Sequence, residues 1–232
     1  SVSLNGDGTI VAIGAYKYSS SKGHVRIYEY ISGSWSLLGS QLDGVSSNDI
    51  FGYSVSLNNT GTILAIGAWG YSSNTGRTYI YQYSSNAWNN IGEIAGGTSE
   101  RFGNAVSINN DGTIVAIGGP YHNSGGVGRI YQYISGTTWD QLGSDIEGSI
   151  NEYIGTTITI NEDGTVVAIG TIGSVNSSKG RVDLYQYSNS TWSSLGNIDG
   201  PSGGFSGETI SLNNDGTIVA SGSFREDTGL NG

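Results

Sequence analysis

A dozen residues recur five times along this chain, and that recurrence constrains the fold more than any other property of the sequence. The copies start at Ser3 (SLNGDGTIVAIG), Ser56 (SLNNTGTILAIG), Ser107 (SINNDGTIVAIG), Thr159 (TINEDGTVVAIG) and Ser211 (SLNNDGTIVASG), at intervals of 53, 51, 52 and 52 residues. A period near fifty marks a propeller or a solenoid, in which one supersecondary unit buries its faces only against neighbouring copies. Repeats are expected at 1–51, 52–102, 103–154, 155–206 and 207–232, the last one partial.

Each repeat reads as four short strands. Strand A alternates apolar and hydroxyl residues, as in Val2-Ser3-Leu4 and Val106-Ser107-Ile108. A tight turn follows, Asn5-Gly6-Asp7-Gly8 in the first repeat and Asn109-Asn110-Asp111-Gly112 in the third, with Asx side chains to bond the local backbone and Gly where φ is positive. Strand B (Thr9–Gly14 and its copies) is β-branched on both faces, which suits a strand covered on both sides. Its Ala (12, 65, 116, 168, 220) and Gly (14, 67, 118, 170, 222) are small enough for adjacent sheets to approach closely. Strand C carries Tyr28-Glu29-Tyr30, Tyr81-Gln82-Tyr83, Tyr131-Gln132-Tyr133 or Tyr185-Gln186-Tyr187, both tyrosines on one face. Strand D carries Trp35, Trp88, Trp139 or Trp192 and ends at Gly39, Gly92, Gly143 or Gly196. The predicted fold is all-β: a single β-propeller of four-stranded antiparallel blades over 1–232, about 52 residues per repeat, with four full repeats and part of a fifth. A β-solenoid competes, but its coils are shorter and lack such hairpin turns.

The junctions Phe51-Gly52-Tyr53-Ser54 and Phe102-Gly103-Asn104-Ala105, with Ala65-Ile66-Gly67-Ala68 and Ala116-Ile117-Gly118-Gly119-Pro120, give the chain a family likeness. It resembles the FG-GAP repeats of integrin alpha-chain propellers, and more closely the FG-GAP-like repeats of bacterial and algal surface proteins. Two other junctions read Ile154-Gly155 and Ser206-Gly207, so the glycine persists where the aromatic does not. The resemblance implies an extracellular or cell-surface propeller used for adhesion and ligand binding. It also implies calcium in the A–B turn of some blades, through a D-x-[DN]-x-D-G-x-x-D loop. Here Asn5, Asp7 and Gly8 match that loop, but Ser3 and Val11 stand at its first and ninth positions, and the same losses recur around Asp111, Asp163 and Asp215. Calcium takes six or more hard oxygens, usually with several carboxylates. The four aspartates are therefore weak calcium candidates, and turn chemistry is the expected role; no cofactor is predicted.

Composition narrows the function. A net charge of −10 with nine Lys and Arg leaves no basic stripe for phosphates, so neither nucleic acid nor an anionic membrane is an expected partner. There is no cysteine, hence no disulfide and no thiolate metal site, and no apolar run reaches the roughly 18 residues of a membrane helix. Of the two histidines, His24 and His122, neither sits in a repeated slot, and both read as solvated loop imidazoles. Asp43, Glu147 and Asp199 are equivalent positions on separate repeats, not a hydrolytic pair. With no nucleophile motif, catalysis is not expected.

Binding is expected at one end of the repeats. Strand alternation puts the near-identical A–B turns at one end and the unlike B–C loops, with the D–A loops, at the other. The ligand candidates on that face are Tyr16, Tyr18, Trp69, Tyr71, Tyr121, His122 and Phe224 from the B–C loops and Asp49, Glu100 and Glu152 from the D–A loops. Aromatic surface beside adaptable polar groups suits a protein loop or a glycan. The repeated Trp and Tyr of strands C and D are expected to be core. A recognition or adhesion module is the leading expectation; the alternatives are a lectin with repeated shallow sites and a structural surface-layer or appendage component. The half-built fifth repeat reads as part of a longer propeller, or as an open edge that pairs with another chain or domain.

Overall fold

The computed structural model describes residues 1–172, 179–201 and 206–223. These residues form an all-β chain of antiparallel sheets, one sheet per repeat. Strand A is Val2–Leu4, Ser54–Leu57, Ala105–Ile108, Ile154–Ile160 and Thr209–Leu212; strand B is Ile10–Ala15, Ile63–Ala68, Ile114–Gly119, Val166–Thr171 and Val219–Gly222. Strand C is His24–Ile31, Arg77–Ser84, Val127–Ser135 and Arg181–Ser188, and strand D starts at Ser34, Ala87, Thr138 and Thr191. Each of the first four sheets runs A-B-C-D with every neighbouring pair antiparallel, and the fifth holds A and B. In the first and third repeats strand D breaks, and a two-residue piece, Leu42–Asp43 or Ile146–Glu147, resumes pairing with strand C. The second and fourth absorb the same irregularity as a register shift after Ile80 and after Leu184.

The A–B turn is held by its own side chains. Asn109 Oδ1 accepts from the backbone N–H groups of Thr113 (3.0 Å) and Ile114 (2.8 Å), while Asp111 Oδ1 accepts from the N–H (3.0 Å) and hydroxyl (2.6 Å) of Thr113. Asp7, Asp163 and Asp215 take the same two bonds from Thr9, Thr165 and Thr217. Those bonds hold the Asp7, Asp163 and Asp215 carboxyls below the usual carboxylate range. At Asp111 partial burial pushes upward, but the Thr113 bonds outweigh it and the net shift is again down. A depressed folded pKa gives stability that is complete above the unfolded value near 4 and disappears as pH falls through the folded values. Urea melts should therefore show the wild type losing stability steeply below about pH 4. A variant carrying Asp111→Asn and Asp163→Asn should have a visibly flatter acid limb; identical limbs would contradict the assignment.

Packing runs from repeat to repeat. The Tyr–Trp face of each sheet lies on the preceding repeat: Tyr83–Trp88, Tyr133–Trp139 and Tyr187–Trp192 pair with ring centroids 5.1–5.3 Å apart. The three indole N–H groups donate to the carbonyls of Leu38, Ile91 and Leu142 at 3.0, 3.0 and 2.8 Å. Of these aromatics Trp88 is buried and the other five are half-buried, whereas the first repeat's pair is exposed. Trp35 keeps the same pairing with Tyr30, but both are 47% exposed where Trp88 is 7% exposed.

Strand A is tied to its neighbours along its length. At the turn end, backbone bonds pass from Gly6 to Asn59, Asn59 to Asn110, Asn110 to Glu162 and Glu162 to Asn214 at 2.9–3.1 Å. In mid-strand, Ser3, Ser56 and Ser107 hydroxyls accept from the N–H of Leu57, Ile108 and Ile160 in the next repeat. At the far end, the Ser1, Ser54 and Thr157 hydroxyls donate to the carbonyls of Gly52, Gly103 and Gly207. There the strand B glycine lies against the next junction glycine. A Cβ on Gly14, Gly67, Gly118 or Gly170 would sit about 2 Å from the carbonyl oxygen of Gly52, Gly103, Gly155 or Gly207. Those junction glycines have φ of 80–89°, which explains why they outlast the aromatic before them.

Candidate functional site

Strand A of all five repeats borders two spaces. At the end carrying the B–C and D–A loops lies a funnel of about 1050 Å³, lined by Val2, Val55, Val106, Ile158 and Ile210, one residue from each repeat. At the opposite end a polar space of about 460 Å³ is bounded by the turn residues Asn5, Asn58, Asn109, Asn161 and Asn213. The two ends thus differ in character.

An arc of rings follows the rim of the funnel. Tyr53 stands between Tyr16 and Trp69, its centroid 5.2 and 5.8 Å from theirs in edge-on contacts. The Arg101 guanidinium comes next, 4.7 Å from the Trp69 ring and 4.1 Å from the Tyr121 ring. Tyr121 then meets Tyr153 at 5.5 Å. The arc draws on three repeats, and Tyr53, Arg101, Tyr121 and Tyr153 line the funnel itself. Its geometry depends on the junctions. Ile50, Arg101 and Tyr153, each just before a Phe-Gly or Ile-Gly pair, have left-handed φ of 59, 55 and 53°. Such a conformation costs a non-glycine residue about 1–3 kcal/mol, and surrounding bonds hold it. Ile50 N–H donates to Ser21 O (2.9 Å) and Arg101 N–H to Asn74 O (2.8 Å).

The expected site residues divide. Tyr121 lines the funnel, and Tyr16 and Trp69 back its wall. Tyr18 and Tyr71 lie outside it: Tyr18 packs edge-on against His24 (4.4 Å), and Tyr71 carries the Arg77 guanidinium 4.0 Å over its ring. Phe224 lies outside the described residues. The B–C loops holding Tyr18 and Tyr71 also contain single helical turns, Tyr18–Ser21 and Tyr71–Asn74, where Ser19, Ser20, Ser72 and Ser73 take left-handed φ. A periodicity search cannot register so short a turn.

The D–A carboxylates correct the expectation most. Asp49, Glu100 and Glu152 are buried, not displayed on the face. Asp49 Oδ2 accepts from the N–H groups of Val45 (2.9 Å) and Ser46 (2.6 Å), and Glu152 Oε2 from Ser149 N–H (2.6 Å), so they brace their own loops. Glu100 receives Arg129 and His122. Burial pushes its carboxyl up, but the bonds from Arg129, the Gly97 backbone and His122 outweigh that, and the net shift is down. Neither histidine is a free loop imidazole. His24 is buried, with burial as the main cause of its lowered pKa, and His122 is held between Glu100 and Glu147.

Two places offer oxygen or nitrogen donors for a cation. In the A–B turns each aspartate spends Oδ1 on a threonine, and only the Asp163 turn carries a second carboxylate, Glu162, which fits a turn brace better than a calcium cage. His122, Asp145 and Glu147 bring donor atoms within 4.8 Å of one another. Arg129 already supplies positive charge there, bonding Asp145 at 2.9 Å and Glu100 at 2.9 Å.

No protein-family model and no curated protein matches the sequence. Among solved structures the chain is similar to Kuenenia stuttgartiensis hydrazine synthase, with a TM-score of 0.64 and 11% identity over 96% of this chain and 54% of that one. The likeness is one of fold alone. This chain spans about half the length of that neighbour.

The funnel-lining residues that sequence reasoning missed are Tyr53, Arg101 and Tyr153, which belong to the D–A junctions. A signal was present: all three flank the Phe-Gly or Ile-Gly pair, so the junction places them wherever it places the glycine.

Proposed function

We propose that this chain is a propeller-type module of FG-GAP-like repeats, extracellular and non-catalytic, that recognises a saccharide at the funnel. The observation carrying the reading is the arc Tyr16–Tyr53–Trp69–Arg101–Tyr121–Tyr153, assembled from three repeats on the face where the loops differ. Rings already packed on one another give contact area at low entropic cost, and their faces suit the C–H faces of sugar rings. A propeller is supported by strand A of all five repeats bordering one space, which a straight column of coils would not produce, and by the fold likeness to a protein that contains a propeller. A non-catalytic role is supported by the two imidazoles, each engaged away from the funnel.

Glycan-array binding followed by titration calorimetry tests this. Tyr53→Ala and Tyr121→Ala should each weaken the best ligand about tenfold, near 1.4 kcal/mol, with an unchanged melting temperature. Tyr71→Ala, outside the funnel, should have no effect. Equal affinities for all three variants and wild type would remove the funnel from consideration.

A further inference from the structure

We infer that the ligand of this funnel is anionic and that the Arg101 guanidinium binds its charged group. The inference rests on the saccharide reading above and narrows it to acidic sugars: those bearing a carboxylate or sulfate.

Arg101 differs from the other described arginines in its company. Arg77 pairs with Glu93, Arg129 with Glu100 and Asp145, and Arg181 with Glu152 and Asp183; Arg26 bonds Gln41 at 2.7 Å. Arg101 makes no ion pair and no side-chain hydrogen bond among the described residues, in a chain whose net charge is −10. It is nevertheless held in place. The rings of Trp69 and Tyr121 flank the guanidinium, and the backbone is locked at φ 55° by the bond to Asn74 O and by its own carbonyl accepting from Asn104 N–H at 3.1 Å. Two aromatic faces satisfy the flat sides of a guanidinium but leave its N–H edges, a fork that fits a carboxylate or sulfate. Nor is the charge a requirement of the repeat, since the equivalent positions are Ile50 and Tyr153. Only one repeat places a cation on the funnel wall at this position, so the site is single and directional.

The ligand's size is limited by the same electrostatics. Glu208 also lines the funnel, and the acidic chain as a whole repels a long polyanion, which favours one or two acidic sugar units over nucleic acid. The lone guanidinium is then paired locally without opposing the whole field.

The test is an array of uronate, sialylated and sulfated oligosaccharides printed beside their neutral counterparts. It is followed by calorimetry of the best acidic ligand with wild type, Arg101→Gln and Arg101→Lys. Wild type should prefer the acidic member at least tenfold. Arg101→Gln should bind acidic and neutral forms alike with an unchanged melting temperature, and Arg101→Lys, keeping charge but not the fork, should fall between. Binding of neutral glycans with no acidic preference would overturn the inference while leaving the saccharide reading standing. Binding to no glycan at all would overturn both.

Discussion

Gly118→Ala is expected to destabilise the protein by at least about 3 kcal/mol, enough to lower the melting temperature of a chain this size by roughly 6–12 °C. The added methyl would lie 2.0 Å from the carbonyl oxygen of Gly155, an atom of the next repeat's backbone that cannot rotate away. Gly155 is itself held at φ 89° between Gly118 and Val127, so relief requires separating two sheets. Because Gly118 does not have a positive φ, the cost is contact alone. Gly33→Ala is the control: its Cβ meets nothing within 4 Å, and its φ of 90° should cost only about 1–2 kcal/mol. Thermal melts of both variants decide the matter. A Gly118→Ala protein as stable as Gly33→Ala would mean that the repeats are not in the contact described.

Phe102→Ala should cost about 3–5 kcal/mol, the range for emptying a fully buried aromatic site. Phe102 is 0% exposed, with Tyr131 edge-on at 6.3 Å and the Arg129 guanidinium 5.4 Å from its ring. Its backbone pairs with Gly76 as a parallel bridge, so the cavity would open directly behind the junction that places Arg101. The third repeat supplies a graded comparison, since Ile154 fills the same slot at 1% exposure. Phe102→Ile should accordingly lose less than about 2 kcal/mol, by keeping most of the volume. Denaturant titration of the pair checks this, and equal losses would show that the slot does not discriminate by volume.

Much of this fold could be read before any coordinates. The strand order A-B-C-D, the Asn–Asp turn and the role of the strand B glycine follow from a pattern repeated five times, because side chains that serve every repeat are subject to the same local physics each time. The site was harder for the opposite reason. Arg101 and Tyr153 occupy a slot filled differently in each repeat, so periodicity carries no information about them. Asp49, Glu100 and Glu152 looked like surface carboxylates because loops are usually wet. They are buried because the junction's left-handed turns leave loop N–H groups facing inward, where a carboxylate is the nearest acceptor. Trp35 shows the limit of repeat logic itself: Trp88 is covered because its indole N–H reaches Leu38 O of another repeat, whereas the identical Tyr–Trp motif at Trp35 is open.

The ties along strand A bear on how the arc can work. The first sheet is fastened to the second, and the second to the third, near the turn, in mid-strand and beside the junction glycine, like a door pinned at top, middle and bottom. Neighbouring sheets can therefore neither swivel nor slide without breaking several bonds at once. Six side chains borrowed from three separate units keep their spacing as if cut from one block, and a guest would spend almost nothing on drawing them together.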